Sequence, residues 1–214
     1  TSLVIAKETG ARVYASDLWV SAEENGKRFA QWGVDGQVMP VCEDAKDLHF
    51  DTKQFTALFS VDAYHYFAGY EGFFQEKILP LTPSKKYFLT GPLSDNVEEM
   101  AGAWAQYQPG TNVISVRMAL EEAGLTFLQS DGCPFTGKYC FDSQDDSGFA
   151  EALKMAEECD EIIYVCGEKA AWSGENRGRV SLDLPELQYR YLRELKKTGK
   201  KIISVLMCGR AMSC

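Results

Sequence analysis

Histidine is scarce in this chain: His49 and His65 are the only two in 214 residues. None of the seven cysteines stands in a CxxC pair. Structural zinc sites draw four ligands from closely spaced Cys and His, so a zinc centre is not expected. Basic residues are outnumbered, 22 Lys and Arg against 31 Asp and Glu, giving a net charge of −9. Nucleic-acid binding normally needs a basic face, and that class of partner is set aside. No apolar run approaches the roughly 20 residues of a membrane span. No basic-then-apolar leader opens the chain at Thr1. These absences point to a cytoplasmic protein with reduced thiols. A Cys133–Cys140 disulfide is the one local alternative, and Cys166 and Cys208, inside apolar runs, read as small hydrophobes.

What is present is ordinary for a folded protein: 45% hydrophobic and 25% charged residues. At about 150 residues per domain, the length suits one large domain or two small ones. Residues 2–9 read as a helix closed by Gly10, and 12–16 as a strand. Ser21 to Glu24 has the form of a capping box, with the Ser21 hydroxyl accepting the Glu24 amide and Glu24 reaching back. It opens a helix through Phe29 and Trp32 that stops at Gly33. Strands follow at 37–41 and 55–61, the latter apolar enough to be buried on both faces. A short helix is expected over 71–77.

Beyond these, 86–90 reads as a strand, and Asp95 with Glu98 as the cap of a helix towards Trp104. Residues 113–123 form a helix closed by Gly124, and 125–129 an edge-like strand. A loop rich in Gly, Asp and Ser covers 133–147. Phe149, Leu153 and Ala156 share a helical face. The 161–166 run is a buried strand ending in Gly167-Glu168. Pro185 starts a helix carrying Leu187, Tyr191, Leu192 and Leu195, with Gly199 as its stop. Residues 201–207 are the last strand. Alternation of strand and helix predicts parallel α/β structure, with strands 87–90, 162–166 and 202–207 buried on both faces.

The stretches RVYASDLW (12–19), CEDAKDLHF (42–50) and FTALFSVDAYHYF (55–67) resemble class I S-adenosylmethionine-dependent methyltransferases. The resemblance covers residues 1 to about 80. It implies a partial Rossmann-like unit in which Asp17, after one strand, meets the cofactor ribose, and Asp44, after the next, meets the adenine. Asp62 to Tyr66, with His65, would close a further strand at the substrate edge. The glycine-rich loop of that family, where the backbone approaches the cofactor, has no counterpart here. S-adenosylmethionine binding is therefore expected to be weak or lacking.

A second resemblance covers residues from about 78 to 214. ILPL (78–81), KKYFLTGPLSDN (85–96), the Trp104 segment, GEKAAWSGENRGRVSLDLP (167–185) and TGKKIISVLMCGR (198–210) are similar to the C-terminal α/β sandwich domain of glycoside hydrolase family 3. That family includes β-glucosidases and β-xylosidases. The resemblance implies a mainly parallel sheet and no cofactor. Retaining glycosidases need a nucleophilic carboxylate and an acid/base carboxyl roughly 5–5.5 Å apart. In this family the nucleophile sits on a separate barrel, and the C-terminal domain supplies the acid/base loop. By its place in SGE-x-x-x-R, Glu175 takes that role, with Glu168 second. Trp172 is a candidate to stack on a sugar, and Arg179 to bind substrate or anchor the loop. Asp183 and Pro185 read as a cap and a helix start.

The resulting expectation is an α/β chain of two parts. Residues 1–80 form the partial Rossmann-like unit and 81–214 the incomplete glycosidase-like domain. Both resemblances claim the ILPL word at 78–81, which suggests a chimera of two frames. The implied partner is a β-linked sugar, engaged once a barrel supplies the nucleophile; alone the chain should be inert.

Overall fold

In a computed structural model of the chain, residues 1–51, 54–59, 81–100, 113–137, 140–210 and 212 are described. Two compact units emerge, Thr1–Leu81 and Thr82–Cys214.

The first unit opens with helix α1 (Ser2–Thr9), ended by Gly10 in the left-handed conformation. Strand β1 (Val13–Asp17), helix α2 (Ala22–Gln31) and strand β2 (Val38–Cys42) follow. β1 and β2 pair in parallel, from Val13 opposite Val38 to Asp17 opposite Cys42. The Ser21 hydroxyl accepts the Glu24 amide at 3.1 Å, as the capping pattern predicts. The return contact is not made: the Glu24 carboxylate turns along the helix to Arg28. An i,i+4 ion pair has taken the side chain that would have completed the box. The core of this unit is small, Ala6, Phe29, Val34 and Val38, with Leu3, Val13 and Ala15 packed against it.

The apolar run expected as a strand at 55–61 is not one over its described part. Residues 55–59 are exposed and form no strand. An apolar run is consistent with a buried strand but does not supply the neighbour that would pair with it. Among the described residues of this unit, β1 and β2 pair only with each other. Phe55 instead sets its ring edgewise against Tyr14 and Phe50, 5.4 and 4.9 Å away. The helix expected at 71–77, the segment 62–66 with His65, and Trp104 lie outside the described residues.

In the second unit the chain runs β3 (Lys86–Thr90), α3 (Val97–Met100), α4 (Val116–Glu122), β4 (Thr126–Ser130), α5 (Phe149–Glu157), β5 (Glu161–Gly167), α6 (Glu186–Lys197) and β6 (Lys201–Met207). The four strands form one parallel sheet in the order β4-β3-β5-β6. The fold class is therefore α/β with parallel sheets, as the alternation of elements predicts. Every residue of β5 is buried. Ile162, Tyr164 and Cys166 lie in one core with Phe149, Ala152 and Ala156 of α5 and Leu187, Tyr191 and Leu195 of α6. Ile163 and Val165, on the opposite alternation, are equally buried. β6 differs from the expectation: Lys201 and Ser204 are exposed and the rest only half-buried. Among the described residues it is an edge of this sheet, and apolar content alone does not reveal strand order.

Two buried polar contacts fix α6 to the sheet. The Thr90 and Tyr191 hydroxyls are 2.7 Å apart, and the Tyr164 hydroxyl donates to the Gln188 carbonyl at 2.9 Å. Buried polar groups without such partners would cost about 1–3 kcal/mol each.

Cys42, Cys133, Cys159, Cys166 and Cys208 form no disulfide, so the Cys133–Cys140 bridge is not made. Cys208 is exposed rather than part of the core, because it lies one residue beyond the end of β6. Burial pushes the Cys133 thiol up to about 12. Because the thiolate is the reactive form, a thiol reagent at pH 8 should label Cys42 and Cys208 promptly. Cys133, Cys159 and Cys166 should react only as the chain unfolds. Peptide mapping of labelled residues against time checks this, and prompt labelling of Cys133 would contradict the packing.

Candidate functional site at the carboxyl edge of the sheet

In a parallel sheet all strands end on one side, and the loops after them gather there. Here those loops follow Thr90, Ser130, Gly167 and Met207. The strand order reverses around β3 and β5, where an open sheet usually leaves a crevice. In this chain that crevice is filled. The loop after β3 turns through Gly91, at φ 104, and the Leu93 amide donates to the Val165 carbonyl at 3.3 Å. Leu93 and Ser94 are fully buried there.

The loop after β5 carries the residues singled out in the sequence. Its root is fixed at Gly167. The Gln188 side chain makes a double contact, accepting from the Gly167 amide and donating to its carbonyl, both at 2.9 Å. The Glu168 amide donates to the Met207 carbonyl at 2.9 Å. These contacts turn the Glu168 carboxylate inward, where its side chain is 1% exposed. Arg179 binds one oxygen of Glu168 and donates to the Asp183 carbonyl. Its guanidinium also lies 3.9 Å from the Phe141 ring centroid. Arg210, three residues past β6, sets its Nε 3.3 Å from the other Glu168 oxygen. Removing one partner of a buried ion pair leaves an uncompensated charge, at a cost of about 3–5 kcal/mol.

Trp172 lies in a short 3-10 turn, Ala170–Trp172, and is buried. Phe135 and Phe141 meet its ring edgewise, each with centroids 5.4 Å apart. Its face is thus taken up by packing within the domain. Lys169 lies over Phe135 and donates to the Gly137 carbonyl at 3.1 Å, tying the loops after β4 and β5 together. The tip of the loop is a hydrogen-bonded turn in which the Arg177 amide donates to the Gly174 carbonyl at 3.2 Å. Asn176, at φ 60, occupies the left-handed position that Asn tolerates better than most residues. Glu175 is the turn's second residue and is exposed. Glu168 and Glu175 therefore share the carboxyl edge in opposite environments, one buried between arginines and one in solvent.

Asp95 does not cap α3. The Asn96 side chain accepts the Glu99 amide at 3.1 Å, while Asp95 accepts from the Ser115 hydroxyl at 2.8 Å and pairs with Arg117 at 2.6 Å. Asp95 was claimed by a more distant cation, which local spacing does not show. Arg210 was not assigned a role from sequence at all. Its only signal was its place at the end of the GKKIISVLMCGR stretch.

In the first unit, Asp17 is the last residue of β1, paired with Cys42, and Asp44 lies two residues past β2, so both stand at the carboxyl end of that two-stranded sheet. The Asp17 Oδ1 accepts from the Trp19 and Val20 amides at 2.9 and 3.0 Å. These amides hold its carboxyl below the usual range. The Asp44 Oδ1 accepts from the Lys46 amide at 2.9 Å, capping a 3-10 turn at Ala45–Asp47, with its pKa lowered chiefly by that bond. Both carboxylates serve as turn caps. Among the described residues, no three His, Cys, Asp or Glu side chains converge to hold a metal.

The parallel sheet, the helices between its strands and the charged loop at its carboxyl edge define an open α/β domain. The sequence profile of the glycosyl hydrolase family 3 C-terminal domain matches residues 75–214, and the chain belongs to that family. The chain is 26% identical to a periplasmic beta-glucosidase of Salmonella typhimurium over 152 residues, 63% of this chain and 20% of that protein. It is 27% identical to an exo-1,4-beta-xylosidase of Emericella nidulans over 172 residues, 78% of this chain and 20% of that protein. Among solved structures, an exo-beta-xylosidase in complex with a xylobiose aziridine probe is 26% identical, with TM-score 0.55, over 63% of this chain and 17% of that one. A beta-glucosidase of Listeria innocua in complex with isofagomine has the same fold, at 24% identity and TM-score 0.54, over 64% of this chain and 18% of the other. The chain thus spans a fifth or less of these relatives' lengths. Among the described residues no helix is long and apolar enough to cross a membrane.

Proposed function

We propose that residues 82–214 supply the acid/base loop of a β-glycoside hydrolase, with Glu175 as the acid/base and the nucleophile on a barrel outside this chain. The observation that carries this reading is the exposed Glu175 at the tip of a turn whose root is rigidly held. An acid/base on a second domain must project outward to reach a bond attacked from the first. Its pKa must also be raised by burial on assembly, so that it can donate a proton near neutral pH. The exposed carboxylate seen here is the form expected before that burial. Glu168 is unsuited to the same work as placed, since its oxygens face two arginines. The substrate would be a β-linked glucoside or xyloside, and no cofactor is called for. The test is hydrolysis of aryl β-glucosides and β-xylosides by this chain alone and by this chain fused behind a family barrel. No turnover alone and turnover in the fusion are expected. Turnover by the chain alone would mean that its own residues suffice.

A second reading applies to residues 1–81, as a methyltransferase-like unit. It is favoured by the parallel β1-α2-β2 arrangement, which sets Asp17 and Asp44 at the same carboxyl end of the two strands. Against it, each carboxylate already accepts backbone amides of its own turn. We expect S-adenosylmethionine to bind weakly or not at all. Calorimetric titration checks this. A micromolar dissociation constant that weakens in Asp17→Ala would instead establish ribose recognition.

A further inference from the structure

We infer that Glu168 is a positioning residue: together with Arg179 and Arg210 it forms a clamp that sets where the loop tip bearing Glu175 stands. This deepens the acid/base reading and rests on it for its functional meaning, though the clamp itself is a property of this chain.

Three observations converge. First, the Glu168 side chain is 1% exposed, and the two cations that face it come from different places, Arg179 at 11% and Arg210 at 19% exposure. Second, each arginine reaches further. Arg179 donates to the Asp183 carbonyl at 2.7 Å, closing the far end of the loop. Arg210 donates to the Trp172 carbonyl and, at 3.4 Å, to the Arg177 carbonyl, so it grips the backbone on both sides of the tip. Third, Glu168 Oε2 and Arg210 Nε are buried and have no hydrogen-bond partner. Their charge pairing therefore compensates for the desolvation of both atoms. A carboxylate serving as proton donor needs access to the reacting bond, which Glu168 lacks. A carboxylate serving as an anchor needs burial, fixed cations and a rigid root, all of which it has through Gly167, Gln188 and the Met207 carbonyl.

The Arg210 contacts add a dependence that the loop sequence does not contain. The tip is tied to the end of β6, and Ser173 Oγ donating to the Gly209 carbonyl at 3.4 Å adds a second tie to the same place. A Cβ at Gly209 would come within 2.6 Å of the Ser173 Oγ and 3.0 Å of its Cβ, so a side chain there would displace Ser173.

The test uses this chain, with Glu168→Gln and Arg210→Ala as two independent cuts through the clamp. Amide hydrogen exchange is followed over residues 172–180 and over strands β5 and β6. The Glu175 side-chain carboxyl carbon resonance, assigned by its loss in Glu175→Gln, is followed alongside. We expect at least about tenfold faster exchange confined to 172–180 in both variants, the signature of local rather than global opening. The Glu175 resonance should move towards its position in an unstructured peptide, which a merely packing role for Glu168 would not cause. Unchanged loop exchange and an unmoved resonance in a folded variant would overturn the clamp. So would faster exchange spread evenly through β5 and β6 in both variants. If Glu168→Gln fails to fold, Arg210→Ala, cut at the better-exposed end, decides alone. Failure of Glu175 as acid/base would show only in hydrolysis by the barrel fusion, so the two ideas fall separately.

Discussion

Replacing Gly167 by alanine should unfold the second unit or destabilise it by at least ~3 kcal/mol, beyond the range of ordinary point substitutions. The residue sits at φ 144, where residues with a side chain are strained. A Cβ there would lie 1.7 Å from the Met207 carbonyl oxygen, which is backbone and cannot swing aside. Relief would require β5 and β6 to separate where Gly167 stands opposite Met207. That separation would also break the Glu168 amide contact to Met207 and the double contact of Gln188. Thermal or urea unfolding followed by circular dichroism gives the measurement. A loss below 1 kcal/mol would mean that the strands part more easily than their packing implies. Gly137, whose Cβ would meet nothing within 4 Å, is the matched control.

Glu175→Gln, placed in a chain joined to a family barrel, should lower hydrolysis by about 10²–10⁴-fold, the range typical of general acid/base catalysis. Glutamine keeps the size and polarity of the side chain but cannot give a proton to the departing oxygen. The loss should be greatest for glycosides with poor leaving groups, which need that proton most. It should shrink for activated aryl glycosides, which leave without much help. Thermal stability should hardly change, because Glu175 is exposed in this chain. A uniform small loss across leaving groups would remove Glu175 from the acid/base role.

Much of the second unit was legible in sequence. β3, β5 and β6 fall where apolar runs stand between glycines and charged residues, and α6 starts after Pro185 with Leu187, Tyr191 and Leu195 on its buried face. The first unit shows the limit of the same reasoning. The 55–61 run looks like a buried strand, yet its described residues are exposed, because the pairing partner is not encoded in the run itself. The site was legible as a set of residue types in one stretch. Their division of labour was not: Glu168 and Glu175 are equivalent as letters.

By itself, then, the sequence determined the alternation of strands and helices, the turns at glycine and proline, and the charged loop after β5. These are local properties, set by side-chain periodicity and by backbone preferences over a few residues. Only the tertiary structure decided that β6 lies at an edge among the described strands, that Trp172 is packed between Phe135 and Phe141, and that Arg210 closes on Glu168. Each depends on contacts between segments far apart in the chain. Burial and charge pairing are set by what the whole fold brings together, and no local spacing records them.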